Sequence, residues 1–400
     1  MWSAVKTTSA SGRIASSSAA ISPKRVATSD RGPSRATSSG KPGSCGTPTP
    51  PTSSAIDPET KMLGVVGRAI AVLCAALGFA ACASAPVTAP SASARGTIVL
   101  SLAYASVSAT QAGAWVAKEQ GIFERNGLDV KLESIAGGSS PTAALLSDQV
   151  QALQISVEAM SAGVEGGDIV YVAAPVSSPL FWFVALPTVN GPADLKGKKI
   201  GATAIGSATY FADVLALQKL GLDPDKDVTL TSVNNVPAIL AAMQSGQVAA
   251  GALSMPTYSQ AKKLGLKTLV NVADLGFKYP SSWLAVRKSF IERDREAVTR
   301  LVRSITEAIA YELAHPTETQ AIIGKYAQIT DQALLKESYD TLVPYLNKTP
   351  TPAIEQAAAG LKLVVMTNPK AKDADPARFV DTSFVDELAR SGFIDKLYKP

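Results

Sequence analysis

The residues best placed to do chemistry in this chain are small hydroxyls and amides in short loops, each following an apolar run. Ile205-Gly206-Ser207-Ala208-Thr209 follows the run Lys198–Thr203, and Phe211, Val214, Leu215 and Leu220 then return at helical spacing. A loop of small residues before a helix leaves the first amides unpaired. With the positive end of the helix dipole, that geometry suits a small anion or a polar headgroup. The same residues also describe an ordinary strand-to-helix turn with a serine N-cap. Comparable loops carry Tyr104, Ser106 and Ser108, then Gly137, Gly138, Ser139 and Ser140, then Ser156 and Glu158. Further along come Tyr210 beside Ser207 and Thr209, Asn234 with Asn235, and Ser254 with Met255-Pro256; Trp283 opens an apolar run behind Tyr279-Pro280-Ser281.

These candidate ligand contacts include no Arg or Lys. An oxyanion headgroup would be held by hydroxyls and by two helix N-termini facing each other. Neutral donors also avoid stranding a buried charge after release. Glu158 pulls the other way. Pointed inward, it disfavours an anion and favours an amine or hydroxyl donor; folded back, it caps the first turn of its own helix. Tyr104 and Tyr210 suit either stacking or core, whereas Trp115, Phe181, Trp182 and Phe183 fit core or hinge packing.

Catalytic chemistry finds little material. The single histidine, His315, precedes Pro316 near a helix end, where contact with the negative end of the dipole is the simpler role. Cys45, Cys74 and Cys82 form no C-x-x-C pair and lie ahead of the globular part. No catalytic residue, metal or cofactor is therefore expected. The charged run from Arg287 to Glu296 is a solvated helix start with i,i+4 pairs.

Positioning those loops requires a sheet. The 400 residues are 46% hydrophobic, enough for two domains. The net charge of +5 comes from the first 61 residues: Lys6, Arg13, Lys24, Arg25, Arg31, Arg35, Lys41 and Lys61 face only Asp30, Asp57 and Glu59. The remainder has no basic stripe, so nucleic acid is not an expected partner. Strands are predicted over Thr97–Tyr104, Leu128–Ser134, Leu153–Val157, Ile169–Ala174 and Leu180–Leu186. After Lys198–Thr203 the alternation continues through Val228–Val233, Val236–Ser245, Ala249–Leu253, Thr257–Leu264 and Leu266–Val272, as βα units of parallel sheet do. Ser282–Val286 returns to the first lobe, and helices follow to the end. The expected fold class is α/β: two doubly wound lobes with a hinge. Lobe one is 96–186 plus 276–400, and lobe two is 187–275.

Residues 1–61, rich in Ser, Thr, Ala, Gly and Pro, are expected to be a disordered or untranslated extension, with Met62 as an alternative start. Residues 62–82 hold Arg68, an apolar run Ala69–Ala81 and Cys82, the pattern of a secretory signal. Residues 83–95 are a Pro/Ser/Ala tether.

The wording Asp194-Leu-Lys-Gly-Lys-Lys-Ile-Gly201, then Gly206-Ser207, then a helix ending Leu220-Gly-Leu-Asp223, resembles the second lobe of periplasmic solute-binding proteins. Trp115–Val130, Ala238–Ser254 with Met255-Pro256, and the long C-terminal helix fit the same family, so the resemblance covers about 96–400. It is nearest to the group serving importers of nitrate, sulfonates, taurine and thiamine-pyrimidine precursors, and it implies a periplasmic-binding-protein-like II fold. Gly78-Phe79-Ala80-Ala81-Cys82 resembles a bacterial lipoprotein cleavage site.

The resemblance implies an extracytoplasmic solute-binding component of an ABC importer. It would be anchored through a lipid on Cys82, act as a monomer, and hand its solute to an inner-membrane permease. Hinge rotation would bury a sulfonate, taurine, nitrate or pyrimidine precursor between the lobes. The alternatives are an enzyme of the same fold acting on a pyrimidine or small acid, and a stand-alone sensor domain.

Overall fold

The computed structural model describes residues 96–137 and 139–399. The N-terminal extension, the apolar segment with Cys82, the tether and Gly138 lie outside the described residues.

Among the described residues, ten strands form two sheets of one topology. β1 (Ile98–Tyr104), β2 (Leu128–Ser134), β3 (Ala152–Ile155) and β4 (Val170–Val176) belong to the first sheet. β5 (Trp182–Ala185), β6 (Lys199–Ala202), β7 (Thr229–Ser232), β8 (Ala250–Leu253) and β9 (Lys267–Asn271) form the second, and β10 (Ser282–Val286) returns to the first. The orders are β2-β1-β3-β10-β4 and β7-β6-β8-β5-β9. In each sheet four strands run parallel, and the strand arriving from the other lobe runs against its two neighbours. The sheets are therefore mixed, where βα alternation alone predicted parallel ones. The crossing strands enter from the opposite lobe and fill the fourth position in reverse.

A second difference concerns the lobe boundary. β5 pairs with β8 and β9, so the first crossing falls between Val176 and Trp182, ahead of the expected break after Leu186. The run Leu180–Leu186 suits a buried strand in either sheet, and only pairing decides which. β5 is buried on both sides: Trp182 and Val184 join one apolar core, Phe183 and Ala185 the other. Each core spans both sheets, one on each flank.

The helices cover the sheet faces. Arg295–Ala314, capped by Asp294 on Ala297 N (3.0 Å), packs against Ala112–Glu119. The charged run is paired on the surface: Asp148 meets Arg287 and Arg293, Arg295 meets Glu387, and Arg300 meets Glu296. Arg293 holds the Asp148 carboxyl down at about 2. His315 stacks on Tyr311 with ring centres 4.0 Å apart. Among the described residues no helix is long and apolar enough to cross a membrane.

Candidate functional site

The carboxyl ends of the parallel strands face a cavity of about 280 Å³ between the two sheets, the place where open α/β sheets take ligands. Two helix starts meet there. Ser207 is the N-cap of Ala208–Lys219: its Oγ accepts from Tyr210 N at 3.3 Å and lies 3.0 Å from Thr209 Oγ1. Thr209 Oγ1 also accepts from Thr203 N at 2.8 Å, tying the loop back to the end of β6. Asn235 caps the next helix, Val236–Gln244, through Oδ1 on Ala238 N (2.8 Å).

From the first lobe, Glu158 opens the helix Glu158–Val164 and reaches across the gap. Its Oε1 accepts from Ala208 N at 2.7 Å, on the N-terminus of the facing helix. Burial raises the Glu158 carboxyl above its ordinary range, against the pull of the amides of Glu158, Ala208 and Ser156. The carboxylate thus sits where the sequence suggested an anion from outside, while also contacting its own helix start.

Below it lies a hydrogen-bonded floor. Gln154 Nε2 donates to Ser282 Oγ (2.9 Å) and to the Thr110 carbonyl (3.1 Å), and Gln111 Nε2 donates to Ser282 Oγ (3.2 Å). Ser156 Oγ donates to the Pro280 carbonyl at 2.7 Å, and Tyr171 donates its hydroxyl to the Ser156 carbonyl. These bonds hold the ends of β3 and β10 in register. On the opposite wall Gly137 stands at φ +92°, and a Cβ there would fall 2.8 Å from Asn234 Oδ1 of the second lobe.

Of the sequence-predicted residues, Ser106, Ser156, Glu158, Ser207, Ala208, Thr209, Asn235 and Ser254 line this cavity together. Ser139 and Ser140 are exposed at a helix start and do not line it. Tyr104 is buried edge-on to Trp115 and Tyr326, because Trp115 and Tyr326 stack with centres 4.8 Å apart and leave it a slot. Tyr210 packs edge-on against Phe211 in the core. Met255 is buried beneath the cavity, with Ser259 Oγ on its sulfur. Trp283 is fully buried against Tyr171 and donates Nε1–H to Ser177 Oγ at 3.1 Å. The large aromatics were placed near the cleft by strand position, and burying their area in the cores took precedence.

Sequence reasoning passed over Gln111, Leu180 and Thr203, assigned Phe181 to core or hinge packing, and named Ser281 only within a turn; all five also line the cavity. Phe181 lies inside an apolar run, which favoured the packing role. Gln111 shows its role only through its contact with Ser282, distant in the chain. Ser281 had a signal, the Tyr279-Pro280-Ser281 turn entering β10.

Two mixed sheets of matching topology joined by crossing strands, with a polar cavity at their carboxyl edges, define a protein with the periplasmic binding fold. The chain belongs to the NMT1/THI5 like family, whose model matches residues 108–319. A Haemophilus influenzae protein named for thiamine biosynthesis is 26% identical over 244 residues, 59% of this chain and 76% of that protein. A solved structure from Bordetella bronchiseptica RB50 superimposes with TM-score 0.66 and 23% identity, covering 73% of this chain and 97% of that one. The alkanesulfonate-binding protein SsuA of Xanthomonas axonopodis pv. citri, solved with MOPS bound, gives TM-score 0.62 at 18% identity over 72% of this chain and 99% of its own.

Proposed function

We propose that this chain is the extracytoplasmic solute-binding component of an ABC importer, anchored through a lipid on Cys82, and that it binds its solute without transforming it. The carrying observation is the cavity between two lobes, bounded from both sides: Ser106, Ser156 and Glu158 from one, Ser207, Thr209, Asn235 and Ser254 from the other. A solute touching both lobes stabilises the closed arrangement over the open one by its differential affinity, and the closed form is what a permease would recognise. In this proposal lobe one is 96 to about 176 plus 282–399, and lobe two lies between them. The family and the alkanesulfonate-binding structure support this reading over catalysis. Among the described residues, the cavity wall carries hydroxyls, amides and the Glu158 carboxyl, groups that bind a solute. Its size suits a small organic or oxyanion solute, such as a sulfonate, taurine, nitrate or a pyrimidine precursor.

The test is native mass spectrometry of protein purified from its own host. A small molecule should co-purify, dissociate intact, and be lost when Ser207 is changed to a bulky Leu. Chemical conversion of that molecule by the purified protein would show an enzyme instead.

A further inference from the structure

Two acceptors in the cavity wall have no donor. Glu158 Oε2 and Gln111 Oε1 are both sealed from solvent and unpartnered. The orientation of Gln111 is set by its neighbours. Ser282 donates its proton to the Thr110 carbonyl at 2.9 Å, so Ser282 Oγ receives Nε2 of Gln111 and leaves Oε1 turned away. Among the described residues lining the cavity, Glu158 is the only one with a charged side chain. At the facing helix start, Ala208 N–H is taken by Glu158 Oε1 and Tyr210 N–H by Ser207 Oγ. One of the helix-start amides that could hold an anion is occupied from within the protein.

We propose that Glu158 selects a solute bearing a cationic N–H group, an ammonium or amidinium, and rejects a free oxyanion. The inference rests on the solute-binding reading above and narrows it. A carboxylate offers about four lone-pair directions, of which Ala208 N uses one. A cationic donor in the cavity would be held by that charge at short range and would bond the neutral acceptors of the wall. An oxyanion in the same space would face a poorly screened like charge. The bond to Ala208 holds the carboxylate in position, so the selecting group is set before the solute arrives.

Benzamidinium and benzoate are planar ions of nearly one shape and opposite charge, and they suit a cavity that would hold about nine waters' worth of volume. Calorimetric titration of the protein should give benzamidinium an affinity about tenfold or more above benzoate. Glu158→Gln keeps an acceptor for Ala208 N–H and removes the charge, so the preference should disappear or invert. Benzoate binding as tightly as benzamidinium would overturn the proposal. So would undetectable binding of benzamidinium, or a preference untouched by Glu158→Gln. An oxyanion found co-purified by native mass spectrometry would defeat the selection and leave the solute-binding reading standing. Conversion of the co-purified molecule would defeat that reading and leave the preference at Glu158 measurable.

Discussion

A carboxyl group sealed away without a partner is expensive, and Glu312 is such a group. It lies on the inner face of Arg295–Ala314 with both oxygens unpartnered, Oε1 close above Gly113. Burial pushes its pKa from 4.5 up to about 8. The titratable neighbours are Tyr339, whose hydroxyl donates to the Glu312 carbonyl, and Tyr398; both phenols are raised, so neither supplies a charge near neutrality. The folded pKa exceeds the unfolded one. Stability is therefore fully present below about pH 4.5 and declines as pH rises toward 8, by a few kcal/mol. Glu312→Gln keeps the shape and removes the charging step. Denaturant unfolding of the variant should match the parent within about 1 kcal/mol at pH 4.5 and exceed it at pH 8. Equal slopes of stability against pH for both proteins would mean that Glu312 charges freely where it lies. Asp213 shows the contrasting solution: also buried, it accepts from Ala252 N at 2.6 Å and so clamps its helix to β8.

At the scale of elements, local pattern and distant pairing contributed differently. Leu128–Ser134 and Ser282–Val286 were legible to the residue, because alternating or continuous apolar runs bounded by turn residues leave a strand few other options. The loops after the strands were legible too, since chain direction alone puts them on one edge of a sheet. What pattern could not carry was partnership. The membership of β5 depends on β8 and β9, and the reach of Glu158 to Ala208 joins groups fifty positions apart. Tyr104 and Trp283, read as cleft candidates, are packed in the interior for the same reason: their place depends on Tyr326 and Tyr171, far along the chain. The loop after β2 offers a test at this scale. Gly137 holds φ +92° and passes so near Asn234 that a methyl group would fall 2.8 Å from its Oδ1. Gly137→Ala carries a backbone cost of about 1 kcal/mol in either lobe arrangement, and the clash adds only when the lobes are together. Solute affinity should fall about tenfold, beyond what the small loss in thermal stability explains. Asn234 itself sits at φ +76°, so Asn234→Gly removes the clashing group without backbone strain and should restore affinity in the double variant. Recovery that fails to appear by calorimetry would separate Gly137 from closure.

For the molecule as a whole, the proposed closure makes affinity depend on what sets the resting position of the lobes. Lys262 and Lys263, at the end of Thr257–Lys263 in the second lobe, pair with Glu337 and Asp331 on the C-terminal helical segment that covers the first. Both pairs are half-exposed, so each contributes about 0.2–1 kcal/mol and weakens with salt. Together they are comparable with the few kcal/mol that separate open from closed forms in a hinged protein. Apparent affinity scales with the fraction already competent to bind, so losing them taxes every solute alike. Reversing both charges, Lys262→Glu with Lys263→Glu, places four carboxylates against each other across the hinge. The solute-free protein should show a larger radius of gyration by X-ray scattering at low salt, and affinity should fall up to about tenfold. Adding Asp331→Lys and Glu337→Lys re-creates the pairs with exchanged signs and should bring back both the compact form and the affinity. High salt should shrink the difference between all three proteins, because it screens attraction and repulsion alike. If scattering and affinity stay constant across the series, the lobes are held by apolar packing on their flanks, and these ion pairs merely decorate a closed surface.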